Sequence, residues 1–326
     1  MPGTGPHLSD WVEVSFGCVP GSTYDVYVSP SMTSPSWALQ GSVVASGSSS
    51  TYTDPGPVFA ERYYRVGVAG TSPVVYSPNQ AGVLPLTVIG REAEDGTQAA
   101  LFGTSLDSTE SPRDIQNVIG WQTDGSTDLA TASEIWGWDP ESTSYVFAWL
   151  FDTGGTTPTF DGCWMDQTTG LPSDMAMPVG SGYWFFNKSV EARTAYFDGL
   201  VQGTELGMDV PVDNTKTTSQ IMGQPLAADV PLNETGTTLQ ADGAQGGTDL
   251  AIADEIWAWN QATDGYVFAW LFDSAGTTPS WDGKWIDQTT GLETTLVLQR
   301  GMGWWYHSKA DPARVPGWTW TEPVPY

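Results

Sequence analysis

The sequence predicts an all-β chain of three tandem β-sandwich-like modules, the last two being an internal duplication. Three observations support this prediction. Short runs of β-branched and aromatic residues alternate with turn residues throughout the 326 residues. No stretch of a dozen residues shows the 3.6-residue periodicity of an amphipathic helix. A segment of 58 residues recurs later in the chain, which is typical of tandem modules.

Residues 1–80 are predicted to form the first module, a small antiparallel sandwich. The predicted strands are Trp11–Phe16, Thr23–Ser29 and Arg62–Ala69. Turn signals such as Pro20-Gly21 separate them, as expected for strand–turn–strand packing. Gly41–Thr51 is rich in Gly and Ser and is predicted to be a flexible loop.

This first module resembles the fibronectin-III-like sandwich modules of large secreted bacterial proteins. The segments that carry the resemblance are Pro20–Tyr27, Trp37, Tyr52–Gly56 and Arg62–Val66. The resemblance covers about the first 70 residues and implies a fold. It does not imply one function, because such modules serve as spacers, adhesive units and enzyme appendages.

The internal repeat is the strongest signal in the sequence. Thr127–Trp184 aligns without a gap to Thr248–Trp305, at an offset of 121 residues and with 33 identities in 58 positions. Both copies are therefore expected to adopt one fold, and we place the repeat modules at residues 81–197 and 198–326. Upstream, Asp114–Gly120 is predicted to correspond to Thr217–Gly223, with Gln224–Gly247 as an insert in the second copy.

Recurring tryptophans are the first candidate binding residues. Trp136 and Trp138 project to one face if the segment is extended, and Trp257 and Trp259 repeat the pair. One interpretation is a platform on which sugar rings stack. The other is packing in a core or between modules, which is favoured by Tyr145–Phe151, where both faces of a strand are apolar. Exposed indoles would support the platform, and buried indoles would support packing.

Recurring carboxylates are the second candidate site. Asp161 and Asp166 lie five residues apart around a Gly turn, and Asp282 and Asp287 repeat them. Calcium prefers several hard oxygen ligands, so these loops are compatible with a calcium site, although no EF-hand pattern is present. Turn capping by the Asp side chains is the simpler interpretation, and no other cofactor is expected.

Charge and cysteine content limit the classes of partner. With 38 acidic and 11 basic residues the net charge is −27, which disfavours nucleic acid and anionic lipid as partners. No segment is apolar enough to insert into a membrane. Cys18 and Cys163 are expected to be separate thiols, with a bridge between them as the alternative.

The predicted function is non-catalytic. We find no nucleophile elbow, zinc-protease motif, phosphate loop or dinucleotide fingerprint, and the acidic residues are too numerous to single out a glycosidase pair. The composition favours an extracellular or cell-surface location, although Met1–Asp10 lacks the features of a signal peptide, so we expect a leader outside this sequence. We expect a structural protein that self-assembles with copies of itself into a filament or layer, or is adhesive. The alternative is a pair of carbohydrate-binding modules for surface polysaccharide.

Overall fold

The computed structural model describes residues 12–55, 61–90, 98–107, 112–120, 122–203, 206–233, 242–314 and 317–322. These residues form antiparallel sheets with very little helix, so the all-β prediction is confirmed. Trp11, which begins the first predicted strand, lies outside the described residues.

The N-terminal part is built from two antiparallel layers. Its strands are β1 (Val12–Gly17), β2 (Thr23–Ser29), β3 (Ala38–Val44), β4 (Ser49–Asp54), β5 (Arg62–Val68) and β6 (Ala81–Val88). One layer is the pair β1-β4. The other is β3-β2-β5, one end of a six-stranded sheet that continues through β6 into the first repeat. Val14, Val26, Tyr64 and Val66 from both layers are buried together as their common core. The predicted strands at Thr23–Ser29 and Arg62–Ala69 are thus present as β2 and β5.

In the first repeat a five-stranded sheet packs against β6 and against the strand that pairs with β6. Its elements are β7 (Gln98–Gly103), β8 (Leu106–Asp107), α1 (Ile115–Val118), β9 (Glu134–Asp139), β10 (Ser144–Phe151), β11 (Cys163–Asp166), β12 (Gly182–Asn187) and β13 (Arg193–Val201). The sheet has the order β11-β10-β9-β12-β7, and β13 pairs with β6 and β8. Leu150 and Trp164 are fully buried beneath the sheet, and Phe102 stacks on Phe197 of β13. Strand β6 therefore pairs on one side with β5 and on the other with β13.

The second repeat reproduces this sheet. Its strands are β14 (Leu206–Val210), β15 (Thr218–Gly223), β16 (Val230–Pro231), β17 (Glu255–Asn260), β18 (Gly265–Phe272), β19 (Lys284–Asp287), β20 (Val297–Leu298), β21 (Gly303–Ser308) and β22 (Trp318–Glu322). The order β15-β21-β17-β18-β19 matches β7-β12-β9-β10-β11 strand for strand. The layer beneath it is the pair β14-β22, with Trp304 against Trp320 in the core.

The sheet order corrects the predicted upstream alignment. Thr218–Gly223 forms β15 and corresponds to β7, whereas Asp114–Gly120 contains helix α1, so the proposed match was wrong. Both segments end in apolar residues followed by Gly, which is common to strands and helix ends. The counterpart of Gln116 is Asn233. The side-chain amide of Gln116 hydrogen-bonds the backbone N–H and C=O of Trp164, and that of Asn233 does the same for Trp285, the equivalent tryptophan. The correspondence between the repeats therefore includes Asn233, a residue of the predicted insert.

Two further predictions concern single segments. Gly41–Thr51 is not a flexible loop, since most of it belongs to β3 and β4. Pairing of β3 with β2, and of β4 with β1, fixes a segment whose composition alone favours a loop. Cys18 and Cys163 are both free and partly buried, so the expectation of separate thiols is confirmed over a bridge within the chain.

Candidate functional site

Each five-stranded sheet has one face covered with aromatic side chains. In the first repeat Tyr145 lies opposite Trp138, and Trp136 lies between Phe147 and Trp184 on the neighbouring strands. Directly opposite residues share a face, so these rings form one continuous surface. The other face of the same strands enters the core. We call these surfaces the aromatic faces of the two repeats.

The aromatic faces of the two repeats pack against each other. Trp138 contacts Trp305 with ring centroids 5.2 Å apart, and Trp259 contacts Trp184 at the same distance, both edge to face. Because Trp138 and Trp259 are 121 positions apart, as are Trp184 and Trp305, each contact is the counterpart of the other. Reciprocal contacts of this kind define a two-fold relation between the repeats.

Hydrogen bonds follow the same two-fold relation. The indole Nε1 of Trp138 donates to the backbone oxygen of Ser219 at 2.7 Å, and that of Trp259 donates to Ala99 at 3.0 Å. Ser219 and Ala99 occupy matching positions on β15 and β7. Both indole N–H groups are therefore satisfied across the interface, which fixes the orientation of the rings.

Glycines bring the two backbones together at the centre of the interface. The N–H of Gly103 donates to Gly301 O at 2.9 Å, and the N–H of Gly223 donates to Gly180 O at 2.8 Å. A Cβ atom on Gly103 would lie 2.4 Å from the Cα of Gly223. Only glycine permits this approach, so Gly103 and Gly223 mark the two-fold axis.

A charged pair lies at the outer end of each aromatic face. Lys188 forms an ion pair with Glu134, which also accepts a hydrogen bond from Nε1 of Trp136 at 2.8 Å. Glu255 binds Lys309 and Trp257 in the same way. Both carboxylates are buried. Sequence reasoning missed these lysines, although their 121-residue spacing is the same as that of the repeat.

The predicted tryptophans therefore occupy two kinds of position. Trp138 and Trp259 lie at the centre of the interface, while Trp136 and Trp257 lie beside the charged pairs. All four are half-buried, and each indole N–H has a partner within the chain. The structure brings them together across the two repeats in one aromatic cluster with Leu101.

His307 is the main difference between the two aromatic faces, since Phe186 occupies its position in the first repeat. Its ring lies 4.3 Å from that of Trp257 and is nearly parallel to Trp305. Nδ1 is bonded to Ser219 Oγ at 2.7 Å, and Nε2 is buried without a hydrogen-bond partner among the described residues. Burial lowers the pKa of His307 from 6.5 to about 4, with Glu255 raising it and Lys309 lowering it further.

We expect His307 to make stability depend on pH. Because its pKa is lower in the folded chain, the unfolded chain binds the proton first, so stability is complete above pH 6.5 and is lost as the pH falls towards 4. Between pH 7 and pH 4.5 the wild type should lose about 2 kcal/mol more than His307→Phe, which installs the first repeat's residue. Urea unfolding at both pH values measures this difference. Equal losses in the two proteins would contradict it.

Two clefts flank the interface and obey the same two-fold relation. The first, of about 870 Å³, is lined by Trp138, Val146 and Ile221. The second, of about 790 Å³, is lined by the matching residues, which are Trp259, Val267 and Leu101. Each central tryptophan therefore forms the wall of one cleft as well as part of the interface.

The two clefts differ in charge and in how they are closed. Among the described residues, the first cleft is lined by four acidic side chains and by no basic one, the acidic residues being Asp139, Glu141, Asp174 and Asp209. In the second, Arg300 forms ion pairs with Glu61 and Asp229, at 2.6 and 2.8 Å. The side-chain amide of Gln261 also forms two hydrogen bonds with the backbone at the end of β6: it donates to Thr87 O and accepts from the N–H of Ile89. Glu61, Thr87 and Ile89 thus contact side chains that line the second cleft.

The predicted calcium ligands cap their own loops. Asp161 accepts hydrogen bonds from the N–H groups of Thr153 and Gly155, both at 2.8 Å, and Asp282 does the same for Ser274 and Gly276. The hydrogen bond from the Ser274 hydroxyl lowers the pKa of Asp282. These bonds use the carboxylate oxygens that a cation would need.

The second carboxylate of each loop also caps a turn. Asp166 accepts from Thr169 N and Asp287 from Thr290 N, each at 2.7 Å. In the part of the chain that the structure describes, no three His, Cys, Asp or Glu side chains converge in a group that could hold a metal. In this structure all four carboxylates therefore act as caps of turns.

Comparison with protein-family models, with curated proteins and with solved structures found no match for this chain. Among the described residues, no helix is both long and apolar enough to cross a membrane. The structure is that of an all-β chain in which two repeats pair face to face through aromatic residues.

Proposed function

We propose that this chain is a non-catalytic structural protein of the cell surface or extracellular space that assembles with copies of itself or acts as an adhesin. The observation that carries the proposal is the use of the repeated aromatic residues. Trp138, Trp184, Trp259 and Trp305 contact each other across the two-fold interface. Such contacts join the repeats into one unit, which suits a mechanical or scaffolding role.

The buried carboxylates support a structural role in the same way. Glu134 and Glu255 each bind a lysine and an indole N–H. A buried carboxylate that accepts from two donors fixes the positions of both donor side chains. The acidic surface, with a net charge of −27, favours a partner other than nucleic acid and suits a protein outside the cell.

Electron microscopy of the purified full chain tests the assembly proposal. We expect regular filaments or sheets that form more readily at about 0.5 M salt than at 0.01 M, because salt screens the repulsion between acidic copies. Sedimentation of the same samples measures the assembled fraction. Single particles of one chain at every salt and protein concentration would overturn self-assembly.

A carbohydrate-binding role is the second candidate, and one observation favours it. Trp138 and Trp259 each wall one of two matching clefts, where an indole and polar side chains lie together. In this role the chain would bind a surface polysaccharide at two sites. Glycan-array binding that is lost in Trp138→Ala, and retained in the matched loop variant Leu171→Ala, would establish it.

A further inference from the structure

The two repeats each carry a strand at the same place beneath the five-stranded sheet. In the first repeat β6 pairs with β13, with Leu84 opposite Phe197. In the second β14 pairs with β22, with Val210 opposite Trp318. Phe197 and Trp318 are 121 positions apart, so β6 and β14 are equivalent strands.

The outer edges of these equivalent strands, on the side away from β13 and β22, have different neighbours. The outer edge of β6 is covered by β5, where Tyr63 lies opposite Gly82. The matching residues of β14 are Gly207, Met208 and Asp209, and Gly207 and Asp209 are exposed. Among the described residues β14 pairs only with β22. In the described part of the chain, the outer edge of β14 thus pairs with no strand, whereas the equivalent edge of β6 pairs with β5.

The N-terminal layer contains a strand whose outer edge is suited to pair with another strand. Its three strands, β3-β2-β5, have two edges, and the β5 edge is joined to β6. The other edge is β3, seven residues with no charged side chain and no proline. Leu39 and Val44 on it are 58% and 68% exposed. The register against β2 shifts at Gln40, which forms a β-bulge, but the strand carries no charge and no proline that would block pairing of its edge with another chain.

We propose that β3 of one copy pairs with the outer edge of β14 in a second copy. This inference rests on the proposed self-assembly and names the surfaces that carry it. Within the chain, one edge of the N-terminal layer is joined to β6. Between chains, the remaining edge joins the equivalent strand β14, so a three-stranded layer bridges two copies.

The proposed contact runs head to tail. Its two surfaces are different, so each copy keeps one free β3 and one free β14 after pairing. A heterologous contact that does not close generates a filament. Main-chain hydrogen bonds supply the affinity, as in other cases of strand addition.

A charge on the donor edge tests the inference. Leu39→Lys should reduce the assembled fraction at least tenfold in sedimentation and abolish filaments in micrographs, because a charge would have to be buried against the acceptor strand. Leu171→Lys is the matched control, since Leu171 is 62% exposed and lies in the loop after β11. It should assemble like the wild type. Full assembly of Leu39→Lys would overturn the inference.

Cross-linking identifies the acceptor independently. In a Cys18→Ser/Cys163→Ser background, protein carrying Asp209→Cys is mixed with protein carrying Ala38→Cys or Leu39→Cys, two neighbours in the regular part of β3 before the bulge. Neighbouring strand residues point to opposite faces, so one of the two mixtures should form a disulfide-linked pair of different chains under mild oxidation.

The outcomes separate this inference from the proposed function. Wild-type filaments without either cross-link, and with Leu39→Lys fully assembled, would overturn the β3–β14 contact and leave self-assembly standing. Absence of wild-type filaments would overturn both. Loss of assembly in Leu39→Lys together with a cross-link to position 209 would establish the contact.

Discussion

Replacing Gly103 with valine is expected to lower the free energy of unfolding by about 3 kcal/mol. A Cβ at this position would lie 2.4 Å from Gly223 Cα and 2.5 Å from Met302 O. These are backbone atoms of the second repeat, which cannot move aside without separating the aromatic faces. Urea unfolding followed by tryptophan fluorescence measures the loss, because the interface contains Trp138, Trp184 and their counterparts.

Gly17→Val is the matched control for Gly103→Val. Gly17 also lies in a strand, and a Cβ there would meet no atom within 4 Å. Its unfolding free energy should stay within about 0.5 kcal/mol of the wild type. If Gly103→Val were equally well tolerated, the close approach of Gly103 to Gly223 would be refuted.

Replacing Arg314 with methionine is expected to cost 3–5 kcal/mol, the usual range for breaking a buried ion pair. Arg314 binds both carboxylate oxygens of Asp254, at 2.9 and 2.7 Å, and Asp254 is fully buried in the second repeat. Removing the guanidinium leaves that charge with Tyr306 Oη and two backbone N–H groups as donors. Chemical denaturation measures the loss.

Two variants check the cause of this loss. Lys216→Met removes an exposed ion pair with Asp213 and should change stability by less than about 1 kcal/mol. The first repeat has Ser133 in place of Asp254. Adding Asp254→Ser to Arg314→Met removes the stranded carboxylate and should recover part of the stability. A double variant as unstable as Arg314→Met would show that lost packing causes the effect.

The strands of the repeats were predictable because their signals are local. Tyr145–Phe151 alternates in side-chain direction and is apolar on both faces. Ala148 and Leu150 enter the core and Tyr145 joins the aromatic cluster, whereas Val146 is exposed. Trp136 and Trp138 share a face as expected for an extended segment. Packing between modules was one of two interpretations that the sequence left open for them.

The interface itself could not be predicted, because its contacts join residues that are far apart in sequence. Gly103 and Gly223 match in only a short segment, whose 120-residue offset differs from that of the main repeat. Comparison of the sequence with itself therefore matches the segment around Gly223 to the wrong partner. The loop prediction for Gly41–Thr51 is wrong for a related reason. Pairing with β1 and β2 decides the conformation of this segment, and its composition does not.

Covalent connection of the two repeats has a thermodynamic consequence. Two separate chains with this interface would dissociate on dilution, whereas tethered partners meet at an effective concentration set by the connecting segment. Pairing of the repeats is therefore unimolecular and should not depend on protein concentration. A tethered pair also need not be symmetrical, because each surface meets only one partner. The repeats differ at one equivalent position, which is His307 in the second and Phe186 in the first. They also differ in their clefts, since one is acidic and the other contains the ion pairs of Arg300. A dimer of identical chains could not have these differences.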